Sequence, residues 1–227
     1  MNPQILDNPA WNALISGNSK MATGNDRIKI FEEEVGAFTG METINEDSLH
    51  QLFEMVTPNR IVVIPTINEL TIPAEWEYLH TTNAFQMVFE GNKPGVDWNK
   101  NIITLTRENV PHMIELTQLT EPGPFLERTI EFGNYKGIFI DGKLAAMAGW
   151  RMQPFQYVEI SAVCTHPDYT GKGLGTALMK DQIISILGEG KIPFLHVRSD
   201  NEIAIKLYKR LGFTVRSHMN FYVLQKV

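Results

Sequence analysis

The pattern of apolar and polar positions is clearest in the second half of the chain, where it switches repeatedly between a two-residue period and a helical period. Over residues 158–164, apolar and more polar positions alternate along a segment of strand length. After a short turn, apolar residues recur at near-helical spacing: Leu174, Ala177, Leu178, Ile184 and Leu187. The same reading predicts strands over 102–106, 136–140, 143–151, 157–165, 193–198, 213–216 and 219–225. It predicts helices over 109–119 and 201–211, a helix that ends at about residue 132 and a helix that begins after residue 173. These elements predict a mixed α/β fold.

The first half of the chain has fewer clear periods. A helix is predicted over 46–56, a strand over 60–65 and another strand around 85–90. A polar, turn-rich stretch then separates two apolar segments with Asn92, Lys93, Pro94, Gly95, Asp97 and Asn99. We therefore predict two units, a smaller one over residues 1–95 and a larger one over residues 101–227.

A glycine-spaced turn, from Thr170 to Gly175, lies between the strand pattern and the helix pattern. The first N–H groups of a helix have no partner within the helix and lie at the positive end of its dipole, so they bind anions where no side chain blocks the approach. The spacing differs from a P-loop, because Lys172 is followed by Gly173, and from the dinucleotide fingerprint. The turn therefore predicts a phosphate site of another kind, with an ordinary loop as the alternative.

The charge pattern favours a small polyanion over a nucleic acid. The formal net charge is -6, which is unfavourable for general nucleic-acid binding. Residues 165–227, however, contain 9 basic and 5 acidic side chains. The single cysteine, Cys164, excludes an internal disulfide. We expect Cys164 to be a buried structural residue, with a nucleophilic role as the alternative.

The helix predicted after Asn201 has one apolar stripe, formed by Ala204, Leu207, Tyr208 and Leu211. Taken alone, this spacing predicts a packed helix whose N-cap is Asn201, whose core aromatic is Tyr208 and whose end is marked by Gly212.

Taken together, these motifs resemble those of a known family. The order of strand, glycine turn, helix and strand is followed by Asn201, Ala204, Leu207, Tyr208, Gly212 and Phe213. This order is similar to that of the GNAT superfamily of acyl-CoA-dependent N-acyltransferases, and residues 159–169 resemble its FR47-like branch. The resemblance covers about residues 101–227. It implies a mixed, mostly antiparallel central sheet flanked by helices, preceded by an accessory or diverged GNAT-like unit.

The resemblance implies acetyl-CoA as the cofactor. Its pyrophosphate would lie on the backbone N–H groups of Gly171, Lys172, Gly173, Leu174, Gly175 and Thr176. The pantetheine arm would pair with the backbone of Val163 and Thr165 and contact Asn201. The family has Gln or Arg where this chain has Thr170, a change that bears on affinity more than on the fold, and Lys172 would add positive charge.

The resemblance also implies two catalytic roles. Tyr208 matches the tyrosine that protonates the departing CoA thiolate, a role that suits a phenol because its ordinary pKa of about 10 keeps it protonated. The amine that attacks must lose a proton, and Glu159 is the predicted base, acting directly or through water. Strand alternation places Glu159 on the more polar face with Tyr157, Ser161 and Val163, and places Cys164 on the other face. The alternative for Glu159 is an exposed strand glutamate.

Other residues are weaker candidates. His166 and His196 titrate near neutrality, but we expect His166 to cap the turn and His196 to be structural. The bend Pro122–Pro124, with Glu121 and Phe125 beside it, falls where the family has its acceptor loop.

The predicted function is therefore acetyl transfer from acetyl-CoA to a primary amine, and the alternative is a non-catalytic acyl-CoA sensor or interaction module. The sequence leaves open small polyamines, amino acids, antibiotics, protein N-termini and lysine side chains as acceptors. The N-terminal unit is expected to form a lid, a wall of the acceptor site or a dimer surface. Because the apolar runs are short, we expect a soluble cytoplasmic protein with no membrane or nucleic-acid partner.

Overall fold

A computed structural model describes residues 3–95, 101–120 and 122–227 of the chain. The predicted turn residues Asp97 and Asn99 and the predicted acceptor-loop residue Glu121 lie outside this part. The helices are α1 (Pro9–Leu14), α2 (Glu46–Met55), α3 (Val110–Thr120), α4 (Leu174–Gly188) and α5 (Glu202–Leu211). The strands are β1 (Ala22–Gly24), β2 (Ile28–Phe31), β3 (Thr39–Met41), β4 (Ile61–Thr66), β5 (Trp76–Phe89), β6 (Ile103–Thr104), β7 (Lys136–Ile140), β8 (Lys143–Trp150), β9 (Tyr157–Thr165), β10 (Ile192–Arg198) and β11 (Phe213–Lys226).

Eight of these strands form one central sheet in the order β4-β11-β5-β10-β9-β8-β7-β6. Only the β9–β10 pair of this sheet is parallel among the described residues, so the sheet is mostly antiparallel, as predicted. Strands β4 and β5 come from residues 61–89, and β5 lies between β10 and β11. Residues 1–95 and 101–227 therefore share one central sheet. A second sheet, β1-β2-β3, lies within the N-terminal part.

Helices cover both faces of the sheet. On one face, α1 and α3 pack with Tyr157, Cys164 and Phe194. On the other face, α4 and α5 pack with Val158, Ile160 and neighbouring strand residues. The chain thus places β9 between two apolar layers. Among the described residues, no helix is both long and apolar enough to cross a membrane.

Several elements match their predicted bounds closely, including β9, β7 and α2. The turn between β7 and β8 takes left-handed angles at Asp141 (φ 51°) and Gly142 (φ 77°), as expected for a two-residue hairpin. The helix predicted through about residue 132 is wrong, because only a short 3-10 turn forms at Thr129–Phe132. The Thr129 hydroxyl there donates to the carbonyl of Val35 and accepts from Leu126 N, which favours a turn over a longer helix.

The two strands predicted at the C-terminus are a single strand, β11, with a register shift between Val215 and Ser217. The shift marks a β-bulge at Arg216, which interrupts the alternation without ending the strand. The strand predicted around 85–90 is also much longer than expected, because β5 begins at Trp76. Its first part is mostly exposed and polar, so the alternation that marks a half-buried strand is missing there.

Candidate active site

The two parallel strands of the central sheet separate part-way along their length. Their pairing runs from Tyr157–Ile192 to Glu159–Phe194 and goes no further within the described residues. Both strands continue beyond that point, β9 to Thr165 and β10 to Arg198. One edge of β9 therefore lacks a strand partner over its last residues, and a gap opens at the carboxyl ends of the two strands.

A β-bulge lies where the strands separate. Ala162 has a left-handed φ of 50°, and the pairing of β9 with β8 shifts register between Met147–Cys164 and Gly149–Ser161. The extra residue reverses the alternation of side chains. The predicted faces are therefore wrong from Ala162 onward, because Ala162 packs on the side of Tyr157. Val163 packs on the side of Val158 and Ile160, whereas Cys164 packs on the side of Tyr157.

The bulge also decides which backbone groups of β9 face the gap. The N–H of His166, just beyond the strand, donates to the carbonyl of Ala145 at 2.8 Å, so it points toward β8. Successive residues of an extended chain direct their backbone polar groups to opposite edges. Val163 and Thr165 therefore direct their N–H and C=O groups away from β8, toward the gap. These are the two backbone positions predicted for pantetheine pairing.

The glycine turn leads from the end of β9 into α4. Gly171 and Gly173 both have a φ of 73°, in the left-handed region that favours glycine. A Cβ atom at either position would meet no atom within 4 Å, so the space beside the turn is open among the described residues. Gly173 is the N-cap and has no side-chain capping bond, and the first intrahelical bond comes from Ala177 N to Gly173 O. The N–H groups of residues 174–176 are thus available at the helix start.

The side chains around the turn have local partners. The Thr170 hydroxyl donates to Pro167 O at 3.0 Å, and the Lys172 ammonium lies 4.7 Å from the centre of the Tyr169 ring. The hydroxyl of Thr165 would lie 3.4 Å from a Cβ on Gly175, so the end of β9 contacts the first turn of α4. His166 accepts a bond from Asp168 N at 3.2 Å and so caps the short 3-10 turn Pro167–Tyr169, which leads into the glycine turn.

Helix α5 follows β10 in the chain and carries Tyr208, with Asn201 at its N-cap. The Asn201 side-chain oxygen accepts from Ala204 N at 3.1 Å, which confirms its role as N-cap, and Gly212 ends the helix in a left-handed conformation. Tyr208 is buried with residues of β9 and β10. Burial, with a contribution from the Cys164 thiol, raises the pKa of Tyr208 to about 12. The phenol therefore stays protonated at neutral pH.

Cys164 is buried, as predicted, and is 2% exposed. Burial raises the pKa of its thiol to about 11, although a bond with Thr120 has the opposite effect. A thiol protonated at neutral pH is a weak nucleophile.

A small cavity, partly open to solvent, lies on the opposite face of β9 from Tyr208, beside the bulge. Three segments distant in sequence form its walls: Val35–Phe38, Pro122–Phe125, and a strand wall with Tyr135, Arg151, Ser161 and Ala162. The Pro122–Pro124 bend therefore lies beside the predicted catalytic strand, and the N-terminal part supplies another wall. Next to these segments, Glu32, which precedes the first, and Arg128, which follows the second, form an ion pair at 2.6 Å.

Glu159 lies fully buried behind this cavity, so the expectation of an exposed strand glutamate as its alternative is wrong. Arg151 binds both carboxylate oxygens, from Nε at 2.8 Å and from Nη2 at 2.5 Å. Met152 N at 3.2 Å and His196 Nδ1 at 2.7 Å also donate to the carboxylate. Burial alone raises the pKa of Glu159, but Arg151 and then His196 outweigh it and lower the pKa to about 2.

His196 continues this buried network. Burial lowers its pKa, so the imidazole is neutral, with Nδ1–H donating to Glu159 and Nε2 accepting from Gln86 Nε2 at 3.0 Å. Gln86 in turn accepts from Arg216 Nη1 at 2.7 Å, and Arg216 pairs with Asp7. Both nitrogens of His196 are thus engaged, in keeping with the structural role expected for it.

Arg151 is the site residue that sequence reasoning missed. It was included in a predicted strand with no role assigned to it. The available signal was a pair of opposite charges on adjacent strands, with Arg151 directly after β8 and Glu159 near the start of β9.

No group of three or more potential metal ligands occurs in the described part of the chain.

Comparisons with known proteins place this geometry in a family. Residues 135–222 match the model of the FR47-like protein family. The chain is 30% identical over 130 residues to the ribosomal protein bS18-alanine N-acetyltransferase of Salmonella typhimurium, covering 53% of this chain and 86% of that protein. It is 33% identical over 84 residues to the N-alpha-acetyltransferase RimI of Mycobacterium tuberculosis, an alignment that covers 35% of this chain and only 51% of that relative's length.

A solved structure extends the similarity to the N-terminal part. The crystal structure of a GNAT-family protein from Novosphingobium aromaticivorans is 31% identical in sequence and superposes with a TM-score of 0.91. The match covers 98% of this chain and 99% of that one. The superposed region spans nearly the whole chain and therefore includes β5, the strand that lies between β10 and β11.

Proposed function

Because this chain belongs to the GNAT superfamily of N-acetyltransferases, we propose that it transfers an acetyl group from acetyl-CoA to a primary amine by direct attack of the amine. The observation that carries this proposal is the separation of β9 from β10 immediately before the glycine turn. The separation leaves backbone donors and acceptors along β9, and the turn adds helix N–H groups at the end of the same gap.

The residues around the gap fit the cofactor. The N–H groups of residues 171–176 would hold the pyrophosphate, because the left-handed glycines leave the approach open. Val163 and Thr165 would pair with the pantetheine arm. Asn201 would contact this arm through its amide nitrogen, since its oxygen already caps α5. When bound, the thioester supplies the activated acetyl group.

Tyr208 is the proposed general acid. Its phenol is protonated across the neutral range because burial raises its pKa to about 12. It lies in the apolar cluster below the gap, with residues of both separating strands. A proton donor placed at the leaving sulfur contributes on the order of 10² to 10⁴ in rate.

The assignment of Glu159 as the base stays a prediction. The contacts of its carboxylate limit how it could accept a proton. A carboxylate with a pKa of about 2 that accepts bonds from Arg151, Met152 N and His196 has little tendency to take a proton from an ammonium group. Any proton transfer to Glu159 would therefore pass through water or follow a rearrangement of these partners.

The relatives suggest which acceptors to test first. By their names, the Salmonella protein acts on an alanine of ribosomal protein bS18 and the mycobacterial protein on N-alpha groups. We propose an α-amine as the acceptor of this chain as well, bound in the cavity beside the bulge.

The test is a screen for acceptor-dependent release of free CoA from acetyl-CoA, with amine classes compared at equal concentration and products identified by mass spectrometry. Stabilisation of the protein by acetyl-CoA is measured in parallel, because a cofactor bound to the folded state raises the melting temperature. Release that depends on an amine supports the proposal. Stabilisation without release for any amine class would instead indicate an acyl-CoA sensor.

A further inference from the structure

Arg151 is held in a fixed orientation at the base of the acceptor cavity. Its Nε and Nη2 atoms form a two-pronged contact with the carboxylate of Glu159, and its side chain is 18% exposed. The ring of Phe38 covers one face of the guanidinium group, 4.6 Å from Cζ. Such a planar fork has little freedom to rotate, because rotation would leave the buried carboxylate without its partner.

The remaining edge of the guanidinium group carries Nη1. No hydrogen bond among the described residues uses this atom, whereas Nε and Nη2 are both engaged. Arg151 lines the cavity together with Ser161 and Ala162, which are at the bulge of β9. Arg151 and Ser161 also lie on the same face of the sheet, since Arg151 is opposite Glu159 and residues two apart on a strand share a face.

We propose that Arg151 is a specificity residue that binds an oxygen atom next to the reacting amine, so that the acceptor is an α-amino carbonyl compound with an uncharged side chain. This inference rests on the proposed acetyl transfer. The shared chemistry is a carbonyl or carboxylate group attached to the carbon that bears the amine, as found in a free amino acid or at the N-terminus of a peptide.

The walls of the cavity disfavour acceptors with a second positive charge. Most of the cavity's side chains are aromatic or aliphatic, including Phe38, Phe125, Phe132 and Tyr135. None of the described lining residues carries a carboxylate, and Glu159 behind them is already bound by Arg151, His196 and Met152 N. A second ammonium group would lose its hydration beside a guanidinium cation, which is costly without a free carboxylate partner.

The experiment compares acceptors that share a ring and an amine and differ in the carbonyl group next to the amine. Phenylalanine amide presents the carbonyl of a peptide N-terminus, phenylalanine presents a carboxylate, and phenethylamine has the same ring and amine with no oxygen. Nα-acetyl-lysine amide and 1,4-diaminobutane represent side-chain amines and diamines. We expect kcat/KM for phenylalanine amide or phenylalanine to exceed that for phenethylamine on the order of tenfold to hundredfold, the value of a hydrogen bond to a charged group. The better of the two oxygen-bearing acceptors identifies the natural source.

A variant separates binding by Arg151 from a general effect on the fold. Arg151→Lys keeps the charge but loses the fork, so we expect the ratio between phenylalanine amide and phenethylamine to fall, mainly through a higher KM for the amide. The matched control is Arg107→Lys, an exposed arginine outside the cavity, which should leave the ratio unchanged. If Arg151→Lys does not fold, the wild-type acceptor series decides alone.

Equal kcat/KM for phenylalanine amide and phenethylamine, or a preference for the lysine side chain or the diamine, would overturn this inference and leave acetyl transfer intact. An unchanged ratio in folded Arg151→Lys would overturn the role of Arg151. Absence of CoA release with every amine would overturn the proposed function itself, and this inference with it.

Discussion

The two ends of β9 contribute to the site in different ways. Beyond the bulge at Ala162, the strand and the glycine turn offer mainly backbone groups, from Val163 and Thr165 to the start of α4. Before the bulge, the strand contributes side chains to a buried network and to a cavity whose walls come from distant parts of the chain. The proposed cofactor side is thus local in sequence, whereas the proposed acceptor side is assembled by the fold.

This difference explains how one scaffold can keep its donor and change its acceptor. A backbone site depends on glycines and strand geometry and tolerates many side chains, which is why Thr170 can stand at the first position of the turn. A side-chain cavity changes with every substitution in its walls, including those in residues 35–38 of the N-terminal part. Variants that disturb one side of the bulge and spare the other therefore test this division.

Removal of the Tyr208 hydroxyl should give the largest effect. Tyr208→Phe removes the proposed proton donor, and we expect kcat to fall on the order of 10² to 10⁴. Because burial raises the pKa of Tyr208 to about 12, the wild-type rate should show no alkaline decline from this group below about pH 10.

The control for Tyr208→Phe is its melting temperature, which shows whether the variant is as stably folded as the wild type. No hydrogen bond of the Tyr208 hydroxyl occurs within the described residues, so the melting temperature should change little. Full turnover with an unchanged pH profile would contradict the role of Tyr208.

Removal of Glu159 should affect the acceptor side and the stability of the chain together. Glu159→Ala leaves Arg151 buried without its carboxylate, and we expect a loss of roughly 3–5 kcal/mol in the free energy of unfolding. The measurement is urea denaturation. A loss below about 1 kcal/mol would show that the network contributes little to the fold.

The same group predicts how stability depends on pH. The pKa of Glu159 is about 2 in the folded protein, below its ordinary value of 4.5. A lowered pKa stabilises the folded state above the ordinary value, by roughly 3 kcal/mol here. This contribution should disappear as the pH falls from 4.5 toward 2. The double variant Arg151→Gln, Glu159→Gln lacks both charges and should lose less stability over that range, and a parallel loss would contradict the assignment.

The cofactor side should respond to a change in backbone conformation. Gly173→Ala places a side chain at a φ of 73°, which costs roughly 1–2 kcal/mol and disturbs the helix start, so we expect the Kd for CoA to rise about tenfold. Gly188→Ala is the matched control at the other end of α4, where a Cβ meets nothing within 4 Å and φ is ordinary. Calorimetric titration should show an unchanged Kd in the control. Equal Kd values in both variants would remove the turn from the binding site.

The smallest effect is expected at the far wall of the cavity. Phe38→Ala removes the ring that covers Arg151, so KM for the acceptor should rise a few-fold while the Kd for CoA stays constant. Steady-state kinetics with the acceptor and direct CoA titration test both parts. A weaker Kd for CoA with an unchanged acceptor KM would reverse the proposed division of β9.

The same division determined what could be predicted from the sequence. The glycine turn, the N-cap at Asn201 and the bounds of β9 follow from local patterns, and the structure confirms these elements. The face of Val163 and Cys164 was wrong because one left-handed residue, Ala162, reverses an alternation that the sequence shows as unbroken. The position of β5 between β10 and β11, and the partnership of Arg151 with Phe38, depend on contacts across more than 100 residues, for which a single sequence has no local signal.

The most direct test of this account follows the backbone amides by NMR while acetyl-CoA is added. We predict shifts at the amides of residues 171–176 and of Val163 and Thr165, on the cofactor side of the bulge, with much smaller shifts at residues 35–38. Addition of an acceptor analogue to the complex should then shift residues 35–38 and 123. Shifts induced by acetyl-CoA that are centred on the cavity walls, with no change at the glycine turn, would contradict the account.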